Sequence, residues 1–236
     1  MMIIFAKIAA SLLLGVLAGF AAIYIFNKMP AAWLCDYDEQ PPQELTDPYV
    51  QRVKGFPWRW IYAAGFSCLL VRFLFMDASL MTAVQVAAAG LFACWALLII
   101  GLADLKYMII PDQFVIMLAL SAFGFIPFYG SVWQPILGAL VGGGVMLAVS
   151  GLGAMIFHKE VLGFGDVKLM AALGFVLGLR GAVAVVIGAS LLSGIFAAIG
   201  LLRKTLKEDD VQPFGPYLCG CGAIYLIITC GTMAPL

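Results

Sequence analysis

Two aspartates stand in apolar surroundings where a carboxylate is costly, and two carboxylates are enough to hydrolyse a peptide bond. Asp104 follows the apolar run 80–102, in the segment Ala103-Asp104-Leu105-Lys106-Tyr107-Met108-Ile109-Ile110-Pro111-Asp112. Asp166 lies in Gly163-Phe164-Gly165-Asp166-Val167-Lys168, between two further apolar runs. Of two carboxylates sharing a proton, one polarises a scissile carbonyl while the other activates water; like charges at close range force their titrations apart, so the pair has joint apparent values. Each residue also has a plainer reading. Asp104 fits a solvated loop carboxylate or a partner for Lys106, and Asp112, just after Pro111, fits a helix start or cap. A carboxylate costs about 2.5 to 3.5 kcal/mol at the bilayer centre and less near the interface, so position alone does not make it functional. Gly163 and Gly165 beside Asp166 permit the close approach of another chain that an extended peptide would need, although glycine is frequent in membrane helices generally.

No other constellation competes. His158 is the single histidine, which argues against Ser-His or Cys-His catalysis and against most histidine-based metal sites; at the end of an apolar run it reads as interfacial. The six cysteines, Cys35, Cys68, Cys94, Cys219, Cys221 and Cys230, form no C-x-x-C pair and read as small apolar residues packing between helices. No metal site is expected. The net charge is zero, so no global basic field points to nucleic acid.

The elements that must position the two aspartates are helices in a membrane. Of 236 residues, 64% are hydrophobic and 11% charged, against roughly a quarter charged in soluble domains. With about 20 apolar residues per crossing, the sequence predicts an all-α, polytopic helical bundle with about eight transmembrane helices: 3–26, 59–76, 80–102, 113–130, 134–157, 167–179, 181–202 and 216–234, with a break at Arg180-Gly181 between the sixth and seventh. The first run is longer than a signal-peptide core and no small-residue cleavage site follows it, so it is expected to remain as a helix. Three parts follow: a first transmembrane helix over 1–26, a short cytoplasmic loop or cap over 27–57, and a seven-helix membrane core over 58–236. The cap region is Pro-rich and carries the acidic group Asp36, Asp38, Glu39, Glu44 and Asp47. Loops after odd-numbered spans hold ten of the 13 cationic residues, which makes that side cytoplasmic under the positive-inside rule. Parity then puts Asp104 and Asp166 on this one face.

Three segments in order carry a family resemblance: Asp104 through Pro111-Asp112, Gly163-Phe164-Gly165-Asp166-Val167-Lys168-Leu169 with Gly174 after it, and Pro213-Phe214-Gly215-Pro216. In these the chain resembles the type IV prepilin peptidases, membrane aspartyl proteases of the G-x-G-D group. The resemblance implies that Asp104 and Asp166 are the catalytic pair and that Gly163, Gly165, Lys168, Asp112, Pro213, Gly215 and Pro216 frame the site. It implies cleavage of the short basic leader of prepilins or pseudopilins, at the cytoplasmic face of a bacterial inner membrane. Two departures go with it. The family's G-S-x-x-N-V-x-x-x-R-x-P pattern after the first helix has only a degenerate echo from Gly19-Phe20 to Asn27-Lys28-Met29-Pro30, and the larger cytoplasmic domain with two C-x-x-C pairs is represented by Cys35 alone. Cleavage, which needs no cofactor, is expected. Methylation of the new amino terminus by S-adenosylmethionine, associated with that region in relatives, is left open.

Other readings place the same residues differently. The presenilin-type proteases share Gly-x-Gly-Asp but add a Tyr-Asp helix and a Pro-Ala-Leu segment; here Ala234-Pro235-Leu236 has the wrong order. In a transporter or ion-binding protein Asp104, Asp112 and Asp166 would line a polar pathway, but no repeated halves are visible. A non-catalytic assembly factor would bind pilin-like helices through its glycine-rich run 138–153.

Overall fold

The computed structural model describes residues 2–35, 43–47, 52–74, 80–158, 162–205 and 212–229. Asp36, Asp38 and Glu39 of the acidic group, Cys230 and the end of the eighth predicted span lie outside these residues. Among the described residues the regular elements are all helical: α1 (Met2–Lys28), α2 (Gln43–Thr46), α3 (Trp58–Leu74), α4 (Leu80–Tyr107), α5 (Asp112–Ser121) continued by a 3-10 turn (Ala122–Phe128), α6 (Trp133–Phe157), α7 (Phe164–Leu202) and α8 (Gly215–Thr229). A helix satisfies its own backbone polar groups, which a chain this apolar requires. Four of the helices, α1, α4, α6 and α7, are long and apolar enough to cross a membrane, while 112–128 and α8 are shorter apolar helices. α4 is central, packed against α3, α5 and α8, with Leu97, Ile99 and Ile100 fully buried.

α7 contains a reversal. Gly178 has φ 70° and ψ −178°, a conformation open to glycine and strained for other residues. A Cβ added at Gly142 of α6 would lie 2.9 Å from Met170 O and 3.5 Å from Ala182 Cβ, yet these two residues would be about 18 Å apart in a straight helix. The segments before and after Gly178 therefore run back alongside each other. The sequence predicts a break at Arg180-Gly181; the turn falls at Gly178, and Gly181 serves instead to let the chain pack closely, its added Cβ falling 2.4 Å from Leu177 Cβ. Just before the turn, the Tyr129 hydroxyl donates to Val176 O at 2.7 Å and approaches Phe175 O at 3.4 Å, supplying the side-chain partner that backbone near an interrupted membrane helix needs.

Close backbone contacts hold the bundle. A Cβ at Gly138 would sit 2.1 Å from Gly174 O, and one at Gly174 would sit 2.1 Å from Gly138 O; small residues let helices approach where dispersion replaces the hydrophobic effect. The front of the glycine run 138–153 is thus occupied by α7 and is not free to bind another protein, although Gly144 and Gly151 face nothing within 4 Å. Gly15 and Gly19 of α1 meet Ser67 and Ala63 of α3 in the same manner.

The region after α1 is tied to the bundle. Asn27 Nδ2 donates to Val53 O at 3.2 Å, and Val53 N–H donates back to Asn27 Oδ1 at 2.9 Å. The buried Arg52 guanidinium donates to Met29 O at 2.5 Å, Leu45 O at 3.1 Å and Phe26 O at 3.4 Å, near the C-terminal end of α1 where carbonyls lack helical partners. Lys106 of α4 donates to Arg52 O.

Candidate active site

Four helix ends meet at one end of the bundle. α4 closes where Met108 turns left-handed with φ 55°, its N–H donating to Asp104 O at 2.9 Å, as left-handed residues commonly end helices. Asp104 thus belongs to the last turn of α4, beyond the predicted end of that span at 102. A negative charge there is disfavoured by the helix dipole. The start of α8 answers it: Gly215 N–H donates to Asp104 Oδ2 at 2.9 Å, one of the amide groups that a helix start leaves without an intrahelical partner. Pro216 occupies the next position, where proline's missing N–H costs nothing. A Cβ at Gly215 would lie 2.7 Å from Asp104 Oδ2, so the contact needs glycine. The expected partner Lys106 does not take this role; its ammonium goes to Arg52 O.

Asp166 is the third residue of α7, whose N-cap is Gly163, and so sits in the first helical turn, where the dipole favours an anion. The sequence places it in a loop before a span starting at 167; its N–H donates to Gly163 O at 3.1 Å. Asp104 is 5% and Asp166 8% exposed. Asp166 Oδ1 is buried with no hydrogen-bond partner among the described residues, an arrangement that costs stability and calls for an explanation such as a catalytic role. The two carboxylates are near enough for the charge of Asp104 to act on Asp166.

Both line a single cavity of about 410 Å³. It is lined by the turn 108–113, including Asp112, by 163–166 with Lys168, and by Ala32, Trp33 and Cys35. Asp112 opens α5 behind its N-cap Pro111 and forms an ion pair with Lys168, which also lines the cavity, so it acts as more than a helix start. A Cβ at Gly165 would meet Ile110 Cβ at 3.2 Å, which shows how tightly the start of α7 abuts the turn. Of the residues singled out in the sequence, Asp104, Asp112, Gly163, Gly165, Asp166 and Lys168 line the cavity, whereas Gly215 contacts Asp104 from behind and Pro213 and Pro216 flank it. Trp33 and the Asn27 and Arg52 anchors that hold its segment are not among the residues the sequence singles out. No local pattern in the sequence marks them, because each acts on groups distant along the chain. Cys94 and Cys219 are buried as expected, with Cys219 against Gly101, whereas Cys68 is exposed. Among the described residues no three His, Cys, Asp or Glu side chains gather as a metal ion would require.

The arrangement can hold a peptide carbonyl and a water between two carboxylates, one steadied by a backbone N–H and the other with an oxygen uncommitted. The model of the type IV leader peptidase family matches residues 91–198, which include both aspartates. The chain is similar to the prepilin leader peptidase/N-methyltransferase of Aeromonas hydrophila, 34% identical over 142 residues covering 59% of this chain and 49% of the relative. It is 33% identical over 138 residues to that of Xanthomonas campestris, covering 57% and 47%, and 32% identical over 160 residues to that of Bacillus subtilis, covering 62% of each. The match thus spans about half the length of the first two relatives. No solved structure matches the chain significantly.

Proposed function

From the match of its residues 91–198 to the type IV leader peptidase family model, we propose that this chain is a membrane aspartyl endopeptidase that removes the leader of prepilins or pseudopilins with Asp104 and Asp166. The observation that carries the reading is the convergence of two buried aspartates, from the end of α4 and the start of α7, on one cavity. Asp104, held by Gly215 N–H, has a fixed orientation; Asp166, with Oδ1 unpartnered, is the group placed to take and return a proton. One carboxylate in its neutral form donates to the scissile carbonyl oxygen while the other, ionised, takes a proton from water as its oxygen attacks the carbonyl carbon. The tetrahedral intermediate then collapses as the leaving amine collects a proton from the pair. Lys168, Asp112, Gly163 and Gly165 frame the substrate backbone, and Pro213 and Pro216 fix the start of α8. The cationic bias of the odd-numbered loops supports a cytoplasmic orientation of this end in a bacterial inner membrane, with about eight helical crossings when the two segments of α7 are taken separately.

The relatives' names join leader cleavage to N-methyl transfer. For this chain the peptidase half rests on the two aspartates that lie within the matched residues; methylation of the new amino terminus with S-adenosylmethionine is a separate question. Both are tested by incubating the protein in liposomes with a prepilin-like peptide, with and without S-adenosylmethionine, and weighing the products. A single cut by the parent chain, lost in Asp104→Asn and Asp166→Asn, is the expected result; cleavage retained in both variants would sink the aspartyl mechanism. A product heavier by one methyl group only when S-adenosylmethionine is present assigns the second activity.

A further inference from the structure

The part of the cavity lining formed by Ala32, Trp33 and Cys35 belongs to neither helix that carries an aspartate, so other contacts must hold it in register with them. These residues lie in a short segment after α1 whose regular structure is a single 3-10 turn, Ala31–Trp33, too short to fix its own position. Its far end is pinned by the burial of Leu34, by the Cys35 thiol donating to Ala31 O at 3.3 Å, and by Trp33 standing edge to face on Phe114 at 5.9 Å. Its near end is held by Arg52. That side chain is 9% exposed, and a guanidinium withdrawn from water needs its donors taken up. They go to Met29 O at 2.5 Å, Leu45 O at 3.1 Å and Phe26 O at 3.4 Å, so one residue joins the end of α1, α2 and the segment leading to Trp33. The main chain of the same residue makes a second connection. Arg52 O accepts from Lys106, two residues beyond Asp104 and two before Met108, where the cavity-lining turn begins. The paired hydrogen bonds between Asn27 and Val53 keep this stretch of chain against α1.

We infer that Arg52 is a positioning residue for cleavage: it locks the segment 29–35 to the end of α4 that bears Asp104, so that Trp33 and Cys35 present a preset surface to substrate in the cavity the dyad lines. The role rests on the peptidase reading of the two aspartates. Lysine cannot replace this arginine, because an ammonium is a point donor without the planar fork that lets one guanidinium reach carbonyls at 26, 29 and 45. Arg52 itself is absent from the cavity lining and acts only through the segment it holds. A lining that has lost its register binds substrate and transition state less well to the same degree, which raises KM and leaves kcat nearly unchanged.

The test uses the full chain in liposomes with a prepilin-like peptide. Arg52→Met and Arg52→Lys are each expected to raise KM at least tenfold (~10-fold) with kcat within about threefold of the parent, while Lys7→Met, which removes an exposed cation toward the other end of α1, cleaves as the parent does. A second readout needs no cleavage: the rate at which a water-soluble maleimide alkylates Cys35, followed by the mass of the peptide that carries it. Thiol reactivity follows access, so the half-buried Cys35 should react about fivefold faster or more in both Arg52 variants, while Cys94, buried in α4, stays as slow as in the parent. That contrast separates a loosened segment from general unfolding. Lys106→Met cuts the other end of the link with the guanidinium in place, and it should speed Cys35 in the same way even where the Arg52 variants do not fold. Parental KM in Arg52→Lys, unchanged Cys35 alkylation in folded Arg52 variants, or Cys94 rising in step with Cys35 in Lys106→Met would overturn the positioning role. Faster Cys35 alkylation in these variants of a parent that cuts no prepilin-like peptide would keep the hold on the segment and overturn the peptidase reading.

Discussion

Gly215→Ala isolates the contact on which the orientation of Asp104 depends. The added methyl would fall 2.7 Å from Asp104 Oδ2 and 3.0 Å from Cγ, closer than van der Waals contact allows, so the carboxylate must draw away from the Gly215 N–H that now donates at 2.9 Å. A hydrogen bond to a charged group is worth about 1.5 to 3 kcal/mol. If that amount is lost from the transition state, kcat falls about 13- to 160-fold, at 1.36 kcal/mol per factor of ten. Displacement of a reacting group by a few tenths of an ångström works in the same direction. The assay is single-turnover cleavage of a prepilin-like peptide in liposomes, with thermal unfolding in detergent run in parallel. Gly144→Ala is the control, since a Cβ there meets nothing within 4 Å. Cleavage by Gly215→Ala at the rate of Gly144→Ala would refute the coupling of α8 to Asp104.

Four further outcomes follow from other contacts. Asp112→Ala and Lys168→Ala should each lower kcat/KM severalfold while changing stability by less than about 1 kcal/mol, because the pair is partly exposed and such pairs contribute little to folding; the exchanged variant carrying Asp112→Lys with Lys168→Asp should recover part of the activity. Gly174→Ala should lower the unfolding midpoint in detergent strongly, by an overpacking cost of about 1 to 3 kcal/mol or more, since its Cβ would collide with the backbone at Gly138; an unchanged midpoint would contradict the described packing of α6 on α7. Removal of the hydroxyl in Tyr129→Phe should cost about 0.5 to 1.5 kcal/mol of stability, read in the same scan. The dependence of kcat/KM on pH should be bell-shaped, because one carboxylate must be protonated and the other ionised: activity falls at high pH as the shared proton is lost and at low pH as the second carboxylate is protonated, and a profile flat across both limbs would exclude a carboxylate pair.

Much of the site was legible because its chemistry is written in residue types. Two aspartates beside long apolar runs, with a single histidine in the chain, leave few alternatives, and their spacing relative to the runs put them at helix ends. Tertiary contacts were not legible. Gly215 reaches Asp104 across 111 residues, and no local pattern announces that a helix start will meet a carboxylate. Asp104 and Lys106 interrupt the apolar run and make the sequence end this span at 102; α4 continues to Tyr107 because both polar side chains find partners, in Gly215 N–H and Arg52 O. The break in α7 was displaced by a few residues because Gly178 and Gly181 look alike in sequence, and only the fold decides which takes a positive φ and which lets helices touch. The proline-rich stretch after α1 gave no sign of contributing to the cavity, since its hold on the bundle depends on Asn27 and Arg52 meeting carbonyls and amides far along the chain.

The central claim is that Asp104 and Asp166 work as one unit, and the most direct test compares cleavage rates of Asp104→Asn, Asp166→Asn and the double variant in liposomes. Residues that act jointly are grossly non-additive, so each single variant should lose nearly all activity and the double variant should be no worse than either. Losses that multiply in the double variant, or substantial cleavage surviving in either single one, would contradict a shared catalytic site.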